Sequence, residues 1–140
     1  MRIDHIAYPC RDPFVTHRFY SEVMGLELVQ AYAGRELLLV YALPEGGNLV
    51  FSASPGSAPP AERDVAWDRQ HVGLTVATRA ELEQWMQKLK THNLEYQLID
   101  DERIYFADPD GLVLELEIAE HVTRNLRAPE ILAQWGEANR

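Results

Sequence analysis

Ile104-Tyr105-Phe106-Ala107-Asp108-Pro109-Asp110-Gly111-Leu112-Val113-Leu114-Glu115-Leu116-Glu117-Ile118 is the stretch whose reading decides the fold. Asp108-Pro109-Asp110-Gly111 has the chemistry of a type I turn. Asp suits the first position, Pro presets the second, and Gly fits the fourth. Strand formers flank the turn, which predicts a β-hairpin. Alternation in the second strand places Leu112, Leu114, Leu116 and Ile118 on one face and Val113, Glu115 and Glu117 on the other. The leucine face calls for a core. Glu115 then lies mid-strand, where a charge is costly unless it is paired or binds a metal.

Working outward, the same strand-rich pattern occurs twice. Residues 2–9 read as a strand with Ile3, His5 and Ala7 on one face. Asp12-Pro13 supplies an N-cap and a proline at the first helical position. The helix is expected to run to about Met24 with Val15, Phe19 and Val23 inward, and Gly25 ends it. Residues 26–32, 37–42 and 48–53 read as strands. The segment 54–68 holds Pro55, Gly56, Pro59 and Pro60 among small and charged residues and reads as a linker.

The pattern then restarts. Residues 70–77 form a strand with His71, Gly73, Thr75 and Ala77 on one face. Thr78-Arg79-Ala80-Glu81 is a capping box. Leu82, Trp85, Met86 and Leu89 follow at helical spacing, and Asn93 suits a left-handed cap. A strand over 94–99 precedes the hairpin. After Ala119 the chain leans helical, over 122–126 and again over 130–135.

The organisation is thus β-α-β-β-β, linker, β-α-β-β-β. This predicts one α+β domain over 1–140, with module one at 1–53, the linker at 54–68, module two at 69–118 and a helical tail at 119–140. Neither half can cover both faces of its own sheet. Pairing the two βαβββ modules yields a curved, incompletely closed sheet with helices outside and a concave face inside.

Composition narrows the function. A net charge of −9 argues against nucleic acid and against an anionic membrane surface as partners. The 46% hydrophobic content is enough to bury a core. The single cysteine, Cys10, excludes an intrachain disulfide and reads as a small apolar filler. There is no long apolar run and no signal peptide, so the cytoplasm is the default location.

Three side chains then share a property. His5 and His71 open the first strands of the two modules, and Glu115 sits on the last strand of module two. In each strand the bulky apolar set faces the helices, so all three belong to the concave face. Ala7, Gly73, Thr75 and Ala77 beside them are small and leave room. A lone strand histidine is more often a hydrogen-bonded core residue than a ligand. Two at equivalent positions of a repeat, with a mid-strand carboxylate, form a divalent-metal constellation. Glu117 reads as a rim group, and His17, His92 and His121 as solvent-facing.

Tyr105-Phe106-Ala107-Asp108-Pro109-Asp110-Gly111 with Glu115, together with His5 and His71 at the module starts, resembles the vicinal oxygen chelate superfamily. That superfamily includes glyoxalase I, extradiol ring-cleaving dioxygenases, fosfomycin-resistance enzymes and bleomycin-resistance proteins. The resemblance covers the chain to about Ile118. It implies His5, His71 and Glu115 as ligands of a divalent metal, Fe(II) or Mn(II) first, with Zn(II) or Ni(II) as alternatives. It also implies a small-molecule substrate and a homodimer.

Glyoxalase I-like members take a fourth ligand from the last strand of module one, but Asn48–Ala53 offers no carboxylate. The three-ligand set resembles the extradiol dioxygenases, as does Tyr105 ahead of the glutamate. Their further histidine before that tyrosine is absent here. Fosfomycin-resistance enzymes share the three ligands and the tyrosine, and Arg124 stands where they place an arginine. The preferred expectation is an extradiol-type dioxygenase or related lyase or isomerase, with Tyr105 and Arg124 as candidate catalytic residues. A fosfomycin-type transferase comes next. A metal-free, bleomycin-resistance-like protein that sequesters a cationic drug is the non-enzymatic alternative.

Overall fold

The computed structural model describes residues 1–54, 71–118 and 126–138. Module one runs β1 (His5–Pro9), α1 (Pro13–Arg18), a continuous π-helical turn (Phe19–Val23), β2 (Glu27–Ala33), β3 (Leu37–Ala42) and β4 (Asn48–Ala53). Module two runs β5 (His71–Val76), α2 (Arg79–Thr91), β6 (Tyr96–Asp100), β7 (Arg103–Ala107) and β8 (Val113–Ile118). Helix α3 (Ala128–Ala138) follows. The expected helix over 122–126 falls almost wholly outside the described residues, as do the linker and His121.

Each module makes a four-stranded mixed sheet, in the orders β1-β4-β3-β2 and β5-β8-β7-β6. The first strand lies parallel to the last, and the remaining neighbours are antiparallel. The helix between the first and second strands is the crossover that this parallel pairing requires. No ladder joins β1 to β5 among the described residues, so the arrangement stays open.

Local chemistry sets the helix ends. Asp12 accepts hydrogen bonds from the backbone of Phe14 and Val15, and Pro13 fills the first helical position. Gly25 leaves the helix at φ 70°, where a Cβ would be strained. Thr78 Oγ1 accepts from Glu81 N at 3.2 Å. Glu81 Oε2 reaches back to Ala77 N at 2.6 Å, one residue earlier than a standard capping box. Asn93 adopts φ 55° as the left-handed cap of α2.

The expected inward face of the first helix needs one correction. Val15 is 43% exposed, and Thr16 is buried in its place. The inward set is Thr16, Phe19, Tyr20, Val23 and Met24, the i, i+3, i+4, i+7, i+8 positions of one helical face, and Val15 lies just beside it. Tyr20 is fully enclosed, its ring 4.2 Å from that of Phe51. Full burial of a side chain of this size contributes about 2 kcal/mol or more.

The outer faces of both sheets carry the core. Leu39, Tyr41, Leu49 and Phe51 pack under α1, and Leu114 and Leu116 pack with Leu82 and Leu89 of α2. Cys10 belongs to this core, and burial raises its thiol pKa. The opposite, inner face is open on module one and along β5, whereas Val113 and Glu115 of β8 are buried. His5 and Ala7 are exposed, and Val40 and Val50 are half-buried.

The modules meet differently at their two ends. At one end the β7–β8 turn is tied to module one. Tyr20 donates its hydroxyl to Asp108 Oδ2 at 2.8 Å, and Arg11 Nε donates to Asp110 Oδ1 at 2.9 Å. Arg11 Nη2 also donates to the Pro109 carbonyl at 2.9 Å. At the other end Gly25 and the β3–β4 turn face β5 and α2 across a cavity of about 680 Å³. Trp85 and Lys88 line it, with the ammonium 4.9 Å from the indole ring centre. Among the described residues no helix is long and apolar enough to cross a membrane.

Candidate functional site

The hairpin that ends module two forms as its turn chemistry predicts. Gly111 N donates to the Asp108 carbonyl at 3.0 Å, and Gly111 takes φ 83°. Asp108 is itself buried. Its Oδ1 accepts from Asp110 N and Leu112 N, each at 2.8 Å, and Tyr20 takes Oδ2. Burial raises the Asp108 pKa despite these bonds. The turn therefore delivers β8 in a fixed register between β5 and β7.

That register assembles a row of side chains on the inner face. Gly73 of β5 lies opposite Glu115, and Tyr105 of β7 lies opposite Glu115 from the other side. Glu115 is 5% exposed, as expected of a mid-strand residue in the central strand. His71 Nε2 lies 2.8 Å from Glu115 Oε2. The His71 ring lies 5.5 Å from the Tyr105 ring. Burial, then the neighbouring Glu115 carboxylate, raises the Tyr105 pKa, so its hydroxyl stays protonated as a donor at neutral pH. Gly73 stands beside the carboxylate, and a Cβ there would make ordinary contact with Glu115 Oε2 at 3.9 Å.

His71, Glu115 and Tyr105 are thus brought together. His5 is on the inner face too, but on the other sheet. Its side chain is 55% exposed, and its Nδ1 lies 3.0 Å from Asp4 Oδ2. Among the described residues no group of three or more His, Cys, Asp or Glu side chains converges to hold a metal. Arg124 lies outside the described residues. Of the remaining histidines, His17 is exposed but engaged, with Nδ1 3.0 Å from Tyr41 Oη and 3.2 Å from Ser21 Oγ. Burial pushes the Tyr41 hydroxyl pKa up to about 12. His92 caps α2 at the surface.

Two groups escaped the reading of the sequence. Arg103 lies opposite Glu117 on β8, with Nε 2.9 Å from Asp100 Oδ2 and Nη1 3.7 Å from Glu115 Oε1. Asp100 chiefly, then Glu115 and Glu117, raise its pKa and hold it charged. The second is the Tyr20–Asp108 contact, whose partners are 88 positions apart. Alternation along β7 put Arg103 on the same face as Tyr105, which was the available signal for the first. The second had none beyond the turn itself.

The donor set bears on a metal. Around Glu115, three carboxylates (Glu115, Glu117 and Asp100) face one guanidinium, which leaves two negative charges in excess. An imidazole and a buried carboxylate in contact, beside such an excess, suit a divalent cation. Within one chain they supply two ligands.

A profile of the Glyoxalase/Bleomycin resistance protein/Dioxygenase superfamily matches residues 2–116. A search of curated protein sequences found no match. Among solved structures, the glyoxylase/bleomycin resistance protein/dioxygenase domain from Frankia sp. EAN1pec superposes with a TM-score of 0.73 at 17% identity, covering 86% of this chain and 98% of that one. Leishmania major trypanothione-dependent glyoxalase I gives 0.71 at 16% identity, covering 99% and 94%. The Listeria monocytogenes fosfomycin resistance protein FosX, complexed with Mn(II) and sulfate, gives 0.69 at 16% identity, covering 85% and 93%.

Proposed function

The chain belongs to the glyoxalase/bleomycin resistance protein/dioxygenase superfamily, and from that premise we propose a divalent-metal-dependent enzyme that chelates vicinal oxygens of a small substrate. The observation that carries the proposal is the contact of His71 Nε2 with Glu115 Oε2 at 2.8 Å on an open inner face. His71 and Glu115 hold the metal, and His5 is the third ligand. Mn(II) or Fe(II) is the ion of choice, and FosX carries Mn(II) in a related fold.

His5 reaches the ion from a second copy of the chain. Two features of the fold support this. The inner-face residues of β1 and β5 are exposed, and both strands are sheet edges. Laying sheet one of one copy over sheet two of another would cover both faces and bring His5 to the His71–Glu115 pair. A two-fold homodimer would form two such sites.

When bound, the ion supplies Lewis-acid stabilisation of developing oxyanion charge. The chain's own residues do the rest. Tyr105, whose protonated hydroxyl bonds to Glu115 in the free chain, orients that carboxylate and shares the hydroxyl with a substrate oxygen. Dioxygenase or lyase/isomerase chemistry is the reaction class, and a fosfomycin-type transferase is the alternative. The deciding experiment is Mn(II) titration of the purified protein and of Glu115→Gln, followed by a substrate panel run without oxygen and then with it. Tight binding lost in the variant is expected; equal binding by both proteins removes the reading.

The carboxylate excess around Glu115 equally favours a second reading, a metal-free protein that sequesters a cationic drug. Calorimetry with a cationic glycopeptide, with and without chelator, separates the two. Heat that survives the chelator and is lost in Glu115→Gln belongs to the second.

A further inference from the structure

Helix α3 carries its apolar residues on one side. Ala128, Ile131, Leu132 and Trp135 recur at i, i+3, i+4 and i+7. No described residue of the helix is buried, and Ile131, Leu132 and Trp135 are 51%, 71% and 66% exposed. A helix of 11 residues is marginal in water and is held mainly by what its apolar stripe packs against. Gly136 weakens it further. The opposite side presents Glu130 and Glu137 and no basic residue, which does not suit an anionic membrane surface.

The cavity of about 680 Å³ between the modules has the matching chemistry. Leu26 and Leu43 of module one line it, as do Leu74, Val76 and Trp85 of module two. Leu26, Leu43, Leu74 and Trp85 are only partly buried. Of the charged groups at its wall, Glu81 is taken up by the α2 cap, Lys88 lies over the Trp85 ring, and Glu45 is exposed in the β3–β4 turn.

The course of the chain joins the two surfaces. Ile118 ends β8 opposite Val76, a residue of the cavity wall. Ala128 follows ten positions later, a span of at most about 33–36 Å. A segment on so short a tether meets its own cavity at an effective concentration on the order of millimolar, which favours it over a second copy. The superfamily profile covers residues 2–116, so α3 lies outside the region it matches.

We propose that α3 is a strap that seats its Ile131–Leu132–Trp135 stripe in the cavity of its own chain and closes that end of the module junction. Gly73 lines the cavity and lies opposite Glu115, so the seated helix bars one approach to the inner face. The proposal does not depend on a bound metal.

A spin label on the polar side of α3 tests this in the full chain. It is attached through Ala133→Cys in a Cys10→Ser background, and the Trp85 indole N–H signal is followed by NMR before and after reduction of the label. With spin label and nitrogen isotope in one chain, the signal should weaken roughly fivefold or more. It should recover in the added double variant Ile131→Ser/Leu132→Ser, whose core is intact because neither residue belongs to it. Isotope-carrying chains mixed with spin-labelled chains should show no loss. Loss in the mixture assigns the helix to a second copy and overturns the proposal. An unchanged signal within one chain overturns it too, as does a loss that persists in the double variant.

Discussion

Tyr20 donates its hydroxyl to Asp108 Oδ2 at 2.8 Å, and both residues are buried at the junction of the two modules. The bond joins the π-helical turn of module one to the hairpin turn that sets the register of Glu115. Removing the phenol leaves a buried carboxylate oxygen without that partner. Tyr20→Phe should therefore lower unfolding free energy by about 1–3 kcal/mol. Urea denaturation followed by tryptophan fluorescence measures this; a change below 0.5 kcal/mol, on the order of an ordinary surface substitution, would contradict it.

Asp108 also gives a pH dependence with a definite sign. Burial raises its folded pKa above the unfolded value, so the folded state holds the proton more tightly. That contribution is complete below the unfolded pKa and is lost as pH rises through the folded one. The stability of wild type relative to Asp108→Asn should then move in favour of wild type as pH falls from neutral towards about 4, and level off below. Parallel melts of the two proteins across that range check it, and a gap that moves the other way refutes it.

Sharing of the metal site between copies predicts complementation. His5→Ala and Glu115→Ala should each lose Mn(II) binding. An equimolar mixture, after subunit exchange, should regain about a quarter of the wild-type sites, because each mixed dimer contains one intact site. Mixtures that stay at the single-variant level, with exchange confirmed by mass spectrometry, would place His5 outside the shared site.

Gly73 separates space from stability. A Cβ at this position makes ordinary contact with Glu115 Oε2 at 3.9 Å, so Gly73→Ala should fold and bind Mn(II) normally. Gly73→Leu projects further over the His71–Glu115 pair. Its Mn(II) affinity should drop at least tenfold, roughly 1.4 kcal/mol, while the melting temperature changes little.

Asn93 tests the backbone at the end of α2. At φ 55° it occupies the left-handed region, where a Cβ without a compensating side-chain bond costs about 1–2 kcal/mol. Asn93→Ala should lose roughly that much in chemical denaturation, and Asn93→Gly should be close to neutral.

The features legible in the sequence were local ones. Asp12-Pro13, Thr78 with Glu81, Asn93 and the Asp108–Gly111 turn each act within a few residues, and each formed in the structure. Strand alternation also placed His71, Glu115 and Tyr105 on one face. The docking of the modules was not legible, because it depends on contacts such as Tyr20 with Asp108 that no periodicity encodes. Val15 was misplaced because i, i+4, i+8 spacing fits two adjacent helical faces, and the buried one starts at the polar Thr16 rather than the apolar Val15. Arg103 drew no notice in the sequence and stands out only through the register that sets it opposite Glu117.

The contrast between the two ends of the module junction has a mechanical consequence. Where the Asp108–Gly111 turn meets α1, separating the halves breaks several hydrogen bonds at once. At the other end Gly25 and the β3–β4 turn look across open space to Trp85. A force parting the halves would therefore meet most resistance near Asp108 and least beside Trp85, where, among the described residues, Lys88 alone reaches towards Gly25. The anchored end is the one from which β8 starts, so the strand bearing Glu115 is fastened at its root.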